Sequence, residues 1–194
     1  MIIFIGGHGP LAGSHLFKVF MDEITTLYNK KDGLPPDAAY PDCIFLSIIS
    51  PENGEFSGNF DFDEDILCEQ ISAWPHDDIV VVPLCVSITQ KIRDMGVNVF
   101  GMDKFINDIA QKGDVIGCSH HVTSNKLLGD NHKYCDMSPI IENPWSDVSN
   151  YIPERGSLIL GCTELSLTDW SNYDNVKDAP TLFMKNLAER CVYW

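Results

Sequence analysis

Two cysteines carry the pattern best suited to acid–base chemistry. In VVVPLCVS, residues 80–87, and LILGCTEL, residues 158–165, an apolar run ends at a turn residue, a cysteine follows, and a hydroxyl comes soon after. A thiolate at a helix start is stabilised by the amides and partial positive charge there. Two such thiols, Cys85 and Cys162, could take a proton from one side of a carbon and return it on the other. The same pattern also suits two small buried hydrophobes, because cysteine is among the most buried residue types. Cys118 ends a third run of this kind and competes for the role.

Other residues offer weaker signals. GGHGPLAG, residues 6–13, joins a strand-like run to a helix-like one, and its amides could hold a carboxylate or phosphate or simply make a tight turn. Its spacing is not the dinucleotide fingerprint, and no P-loop lysine follows. His120 and His121, with His132 and Cys135 further on, raise metal binding, but their spacing matches no standard zinc site. The acidic run Asp61, Asp63, Glu64 and Asp65 lacks the spacing and glycine of a calcium loop and reads as a solvated helix start.

The elements that must position these groups alternate. Residues 2–5, 43–49, 79–82, 115–118 and 157–160 read as short apolar strands, the last being the final strand of the chain, and 97–100 as an edge strand. Helices are expected over about 11–29, 63–74, 87–95, 103–111 and 180–191, with a short one after residue 118. Residues 50–61 read as a long polar loop and 129–156 as irregular. Such alternation predicts an α/β fold with mainly parallel sheets covered on both faces. Ligands then bind at the carboxyl ends of the strands, where Gly7, His8, Gly9, Cys85, Ser87, Cys118, Ser119, Cys162, Thr163 and Glu164 all fall.

Bulk properties narrow the class. The 194 residues suit one compact domain or two small lobes, and 44% hydrophobic with 21% charged residues is ordinary for a soluble globular protein. A net charge of −15 argues against nucleic acid and anionic membrane as partners. No apolar run approaches the roughly 18 residues needed to span a bilayer. The start MIIFIGGHGPLAG lacks a basic flank and reads as a first strand rather than a signal peptide. Seven cysteines without a CxxC pair suggest free thiols in a reducing cytoplasm.

The glycine loop GGHGPLAG together with LILGCTELSL resembles the aspartate/glutamate racemase superfamily, whose members open with a GG-x-GP-x-A loop and carry GCTEL near the end. The resemblance implies two similar Rossmann-like α/β lobes with the active site in the cleft between them. We expect residues 1–96 to form the first lobe, with the C-terminal helix 180–194 packing back on it, and residues 97–179 the second. It also implies amino-acid racemisation or epimerisation without pyridoxal phosphate, metal or other cofactor. One cysteine thiolate removes the α-proton and the other thiol reprotonates the opposite face. Carried onto this chain, the catalytic pair is Cys162 and Cys85, with Gly7, His8, Gly9, Ser87, Ser119, Thr163 and Glu164 lining the substrate, an amino acid or related carboxylate. Homodimerisation is left open.

Three departures from the family pattern stand out. The family's P-C-N-T-A-H stretch reads Pro83-Leu84-Cys85-Val86-Ser87-Ile88, so the thiol comes one place later. The family's ATxGT-like loop becomes Cys118-Ser119-His120-His121-Val122. Aspartate-type members carry an arginine after the second strand, whereas residues 50–58, SPENGEFSG, hold no basic residue, and Glu52 and Glu55 would repel a second substrate carboxylate. Two other readings therefore stand beside the racemase: a single-cysteine lyase, decarboxylase or isomerase of the same fold, and a non-catalytic ligand-binding member.

Overall fold

The structure is a computed structural model that describes residues 1–6, 10–31, 40–47, 64–73 and 79–193, without the side chains of residues 30, 31, 64 and 193. The glycine loop 7–9 and the polar loop 50–61, both singled out above, lie outside the described residues. In chain order the elements are β1 (Ile2–Gly6), α1 (Pro10–Lys31), β2 (Cys43–Ser47), α2 (Glu64–Ser72), β3 (Val80–Pro83), α3 (Val86–Asp94) and α4 (Met102–Ile109). There follow β4 (Val115–Cys118), α5 (His120–Ser124), β5 (Lys133–Asp136), α6 (Ser138–Glu142), β6 (Leu158–Leu160), β7 (Val176–Asp178) and α7 (Ala179–Tyr193). Turns of 3₁₀ helix occur at Ser149–Tyr151 and Thr163–Leu167.

The strands form two parallel sheets, ordered β2-β1-β3 and β5-β4-β6-β7. The central strands are the most apolar. Every residue of β1 is buried, as are all three of β6, in keeping with strands covered on both faces. The edge strands β5 and β7 carry Lys133, Asp136, Lys177 and Asp178. Their polarity explains why a hydrophobic pattern did not find them: the region read as irregular, 129–156, contains β5 and α6, and 157–160 is followed by a further strand. Residues 97–100 make only a bridge, Val81 to Val99, because the chain turns into α4 at Met102.

A continuous core joins the two sheets. Phe4 of β1 meets Phe17 and Phe20 of α1 edge-on at 5.4 and 5.1 Å between ring centroids. Leu16, Ile24 and Leu27 complete the buried stripe of α1 at helical spacing. Helix α7 packs along α1 and against α4, and its Phe183 stacks on Phe100 at 5.1 Å and meets Phe105 of α4 edge-on. Arg93 of α3 makes a two-pronged ion pair with Asp103 of α4, at 2.6 and 2.7 Å. Most important for the site, α3 packs against α5, and α1 and α6 both pack against the 3₁₀ turn Thr163–Leu167. These contacts bring the carboxyl ends of β3, β4 and β6 toward one another. No described helix is long and apolar enough to cross a membrane.

Candidate active site

The two sheets present their cysteines in the same way. Strand β3 is in register with β1 through Ile5 and Pro83, and β6 with β4 through Gly117 and Leu160. One residue beyond each strand, the chain donates a backbone hydrogen bond to the central neighbour: Leu84 N–H to Ile5 O at 2.9 Å, and Gly161 N–H to Gly117 O at 2.7 Å. The next residue is Cys85 in one case and Cys162 in the other. Each is extended, at φ −128°, ψ 128° and φ −123°, ψ 142°, and each caps the helical segment that follows. Gly161 is small for a reason: a Cβ there would come within 3.0 Å of Ile116 Cγ2 and 3.4 Å of Gly117 O.

Both thiols are held protonated. Burial pushes Cys85 up to about 11, and the Glu164 carboxylate adds to this. The Ser87 amide and hydroxyl and the Ile88 amide act the other way, favouring the thiolate, although Cys85 makes no side-chain cap hydrogen bond as it stands. Ser87 Oγ is buried beside the thiol. Burial also pushes Cys162 well above the usual thiol value, followed by the charges of Cys118, Glu164 and Cys85. Opposing them, the Ser119 amide donates to Cys162 Sγ at 3.2 Å. Cys85 and Cys162 therefore lie close enough to interact electrostatically, with Glu164 acting on both.

The remaining residues expected at the site divide. Ser119 caps α5 and reaches Cys162 through its amide. Thr163 is buried, and its hydroxyl donates to Glu164 Oε2 at 3.1 Å. Ser87 lies in the first turn of α3 beside Cys85. Gly7, His8 and Gly9 lie outside the described residues. Cys118, the third strand-end thiol, is fully buried, faces back toward Ile116 O at 4.0 Å, and is pushed up to about 12 by burial and then by Asp136 and Cys135.

His120 is bound up in local contacts: Nδ1 lies 3.0 Å from Asp136 Oδ2 and Nε2 lies 3.0 Å from Ser124 Oγ. Among the described residues, no group of three or more His, Cys, Asp or Glu is gathered as metal ligands. Asp136 and Ser138 were missed from sequence because they fall in the segment read as irregular. Their signal was Asp-Met-Ser-Pro, residues 136–139, a turn-forming acid and hydroxyl before a proline at a helix start.

No protein-family model matches the chain, and no curated protein matches it. Solved structures do. The chain is similar to an aspartate racemase from Picrophilus torridus, at 14% identity and a TM-score of 0.63 over 100% of this chain and 99% of that one. It is also similar to an aspartate racemase homologue from Pyrococcus horikoshii, at 17% identity and a TM-score of 0.60 over 98% of each chain. At such identity the likeness speaks for the fold, and it does so over the whole length: the chain has the two-sheet α/β fold seen in the aspartate racemases.

Proposed function

We propose that the chain is a divergent member of the aspartate/glutamate racemase superfamily and a cofactor-independent amino-acid racemase or epimerase that uses Cys85 and Cys162 as its two proton-transfer groups. One observation carries the reading. The two thiols occupy equivalent positions at the ends of β3 and β6, within electrostatic reach of each other. Residues 1–96 with helix 180–194 would form one lobe, residues 97–179 the other, and the substrate would lie between them.

In the reaction, the thiolate of one cysteine takes the α-proton. The C–H electron pair stays behind as a carbanion delocalised into the substrate carboxylate. The thiol of the other cysteine gives its proton to the opposite face, and the two sulfurs end with exchanged protonation states. Ser87, Ser119 and Thr163, with Gly7, His8 and Gly9, would surround the carboxylate, where negative charge grows. Glu164 would receive the ammonium group. This last contact bears on activation. A thiol at about 11 is ionised at pH 7 in on the order of one molecule in ten thousand. A substrate cation at Glu164 offsets the charge that raises both thiols, so binding itself favours the thiolate.

The single-cysteine reading rests on Cys162, whose sulfur accepts the Ser119 amide at 3.2 Å. Chiral chromatography of a panel of L- and D-amino acids incubated with the protein tests the proposal. Conversion of one enantiomer to its mirror image is expected for at least one neutral or basic amino acid. A panel that stays enantiopure throughout overturns the racemase reading.

A further inference from the structure

Next to the candidate site, a set of side chains that has no assigned role surrounds the Ser119 amide, which touches Cys162. Ser119 N–H donates to Cys162 Sγ at 3.2 Å. Its neighbour is held from two directions. His120 N–H donates to Ser138 Oγ at 2.8 Å, and His120 Nδ1 meets Asp136 Oδ2 at 3.0 Å. Asp136 Oδ1 accepts the Ser138 N–H at 3.0 Å, which ties the two anchors together. Just before Ser119, Cys118 O accepts the Met137 N–H at 2.8 Å. The backbone on both sides of the Ser119 amide is thus fastened to residues 136–138, the turn between β5 and α6. Helix α6 in turn packs against the 3₁₀ turn that carries the residues after Cys162.

The array Ser124, His120, Asp136 has the connectivity of a nucleophile relay: in the neutral imidazole, Nδ1–H donates to the carboxylate and Nε2 accepts the serine proton. The His120 side chain is 75% exposed, however, and Asp136 42%, so water competes at both. What the array accomplishes is to fix the imidazole in one orientation at the head of α5.

We propose that Asp136, His120 and Ser138 are positioning residues that form a latch holding the Ser119 amide against Cys162 Sγ. The latch acts through geometry rather than charge. Among the described residues, the charged and titratable groups acting on Cys162 are Cys118 of β4, Glu164 of the 3₁₀ turn and Cys85 at the head of α3, all of which oppose ionisation, while the Ser119 amide favours it. Burial pushes the Asp136 carboxyl up, but the Ser138 amide and hydroxyl and the His120 imidazole outweigh this and hold it below the usual value, as a latched carboxylate requires.

The mechanism can be separated from simple electrostatics by sign. Asp136→Ala and Asp136→Asn both delete the negative charge, which alone would make nearby thiols more acidic. Only Asp136→Ala breaks the latch. Asparagine can still accept from Ser138 N–H through its carbonyl and donate to His120 Nδ1 through its amide.

The test follows Cys162 and Ser119 directly. Site-resolved alkylation by iodoacetamide as a function of pH is read by mass spectrometry, and exchange of the Ser119 amide proton is read by NMR. In Asp136→Ala and His120→Ala, Cys162 alkylation below its midpoint is expected to slow roughly tenfold, the size of a weakened charge-assisted hydrogen bond. The Ser119 amide is expected to exchange faster by a similar factor, and Asp136→Asn to stay close to wild type in both. Unchanged Ser119 exchange in His120→Ala, which alters an exposed side chain, overturns the latch, as does faster Cys162 alkylation in Asp136→Ala. The importance of the latch rests on Cys162 being the working thiol, but neither measurement contains a substrate. A failed racemase assay therefore leaves this result standing, and a failed latch leaves the racemase reading untouched.

Discussion

Cys85 stands to β3 as Cys162 stands to β6. Each is the second residue beyond the strand, and the residue between donates its amide to the central neighbour, Leu84 to Ile5 O and Gly161 to Gly117 O. The two-step spacing places each sulfur at the head of the following helical segment. Against the family's P-C-N-T-A-H stretch, Cys85 comes one place late. Against Cys162 within the same chain, it is in register.

Glu164 adds to burial in raising both thiols. Its carboxylate raises Cys85 and Cys162 together, so replacing it with a neutral group must lower both. In Glu164→Gln, the alkylation profiles of both cysteines are expected to move to lower pH. A shift in only one of them would mean that Glu164 does not act on both sulfurs in solution.

Alkaline stability follows from the same burial. Cys118 has a folded-state pKa of about 12 against 9.0 for an unperturbed thiol. Below 9 both states keep the proton and there is no effect. As pH rises from 9 toward 12, the unfolded chain releases it and the folded chain does not, so the fold loses stability. The loss from this one group is about 1.4 kcal/mol per pH unit across that window. Urea unfolding at pH 8.5 and 10.5 is expected to show a steeper loss for wild type than for Cys118→Ala. Equal losses would place the thiol in contact with water.

Asp114 works at the opposite end of the second sheet and with the opposite sign. Burial pushes its carboxyl up, but the Lys177 ammonium at 2.9 Å and the amides of Ser157 and Gln111 at 2.9 and 3.1 Å hold it below the usual range. Its contribution is present above the unfolded carboxyl value of 3.8 and is lost as pH falls through the lower folded one. Asp114→Asn is expected to cost about 1.5–3 kcal/mol at pH 7 by chemical denaturation, and the gap to wild type should close in acid.

Close packing at the site has its own signature. A Cβ on Gly117 would collide with Met137 Sδ and come within 3.1 Å of Leu158 Cδ1, whereas one on Gly161 meets Ile116 Cγ2 at 3.0 Å. Gly117→Ala is therefore expected to destabilise by about 1–3 kcal/mol and Gly161→Ala by less, as read from thermal unfolding. The reverse order would mean that Met137 swings away at little cost.

Much of this was legible in the sequence where burial is heaviest. Ile2 to Gly6 and Leu158 to Leu160 are continuous apolar runs because both faces of their sheets are covered, and the strand-end cysteines follow from them. Lys133 to Asp136 was not legible, because an edge strand with one half-buried face has no run to detect. For the same reason, Asp136 and Ser138 came into view only through their hydrogen bonds to His120. Cys85 and Cys162 were singled out together by their shared pattern, an apolar run, a turn residue, a cysteine and a hydroxyl soon after. What the sequence did not show is their equivalent placement after β3 and β6, which rests on the strand register at Pro83 and Leu160.

The most direct test of the two-thiol account is hydrogen exchange at the substrate α-carbon. Amino acids of both hands are incubated in D2O with wild type, Cys85→Ala and Cys162→Ala, and the α-proton signal is followed by proton NMR. The account predicts that wild type replaces the α-proton of at least one amino acid with deuterium and inverts it, and that inversion is lost in both variants. Exchange that survives in Cys85→Ala with full inversion, or no exchange by wild type with any amino acid, would contradict it.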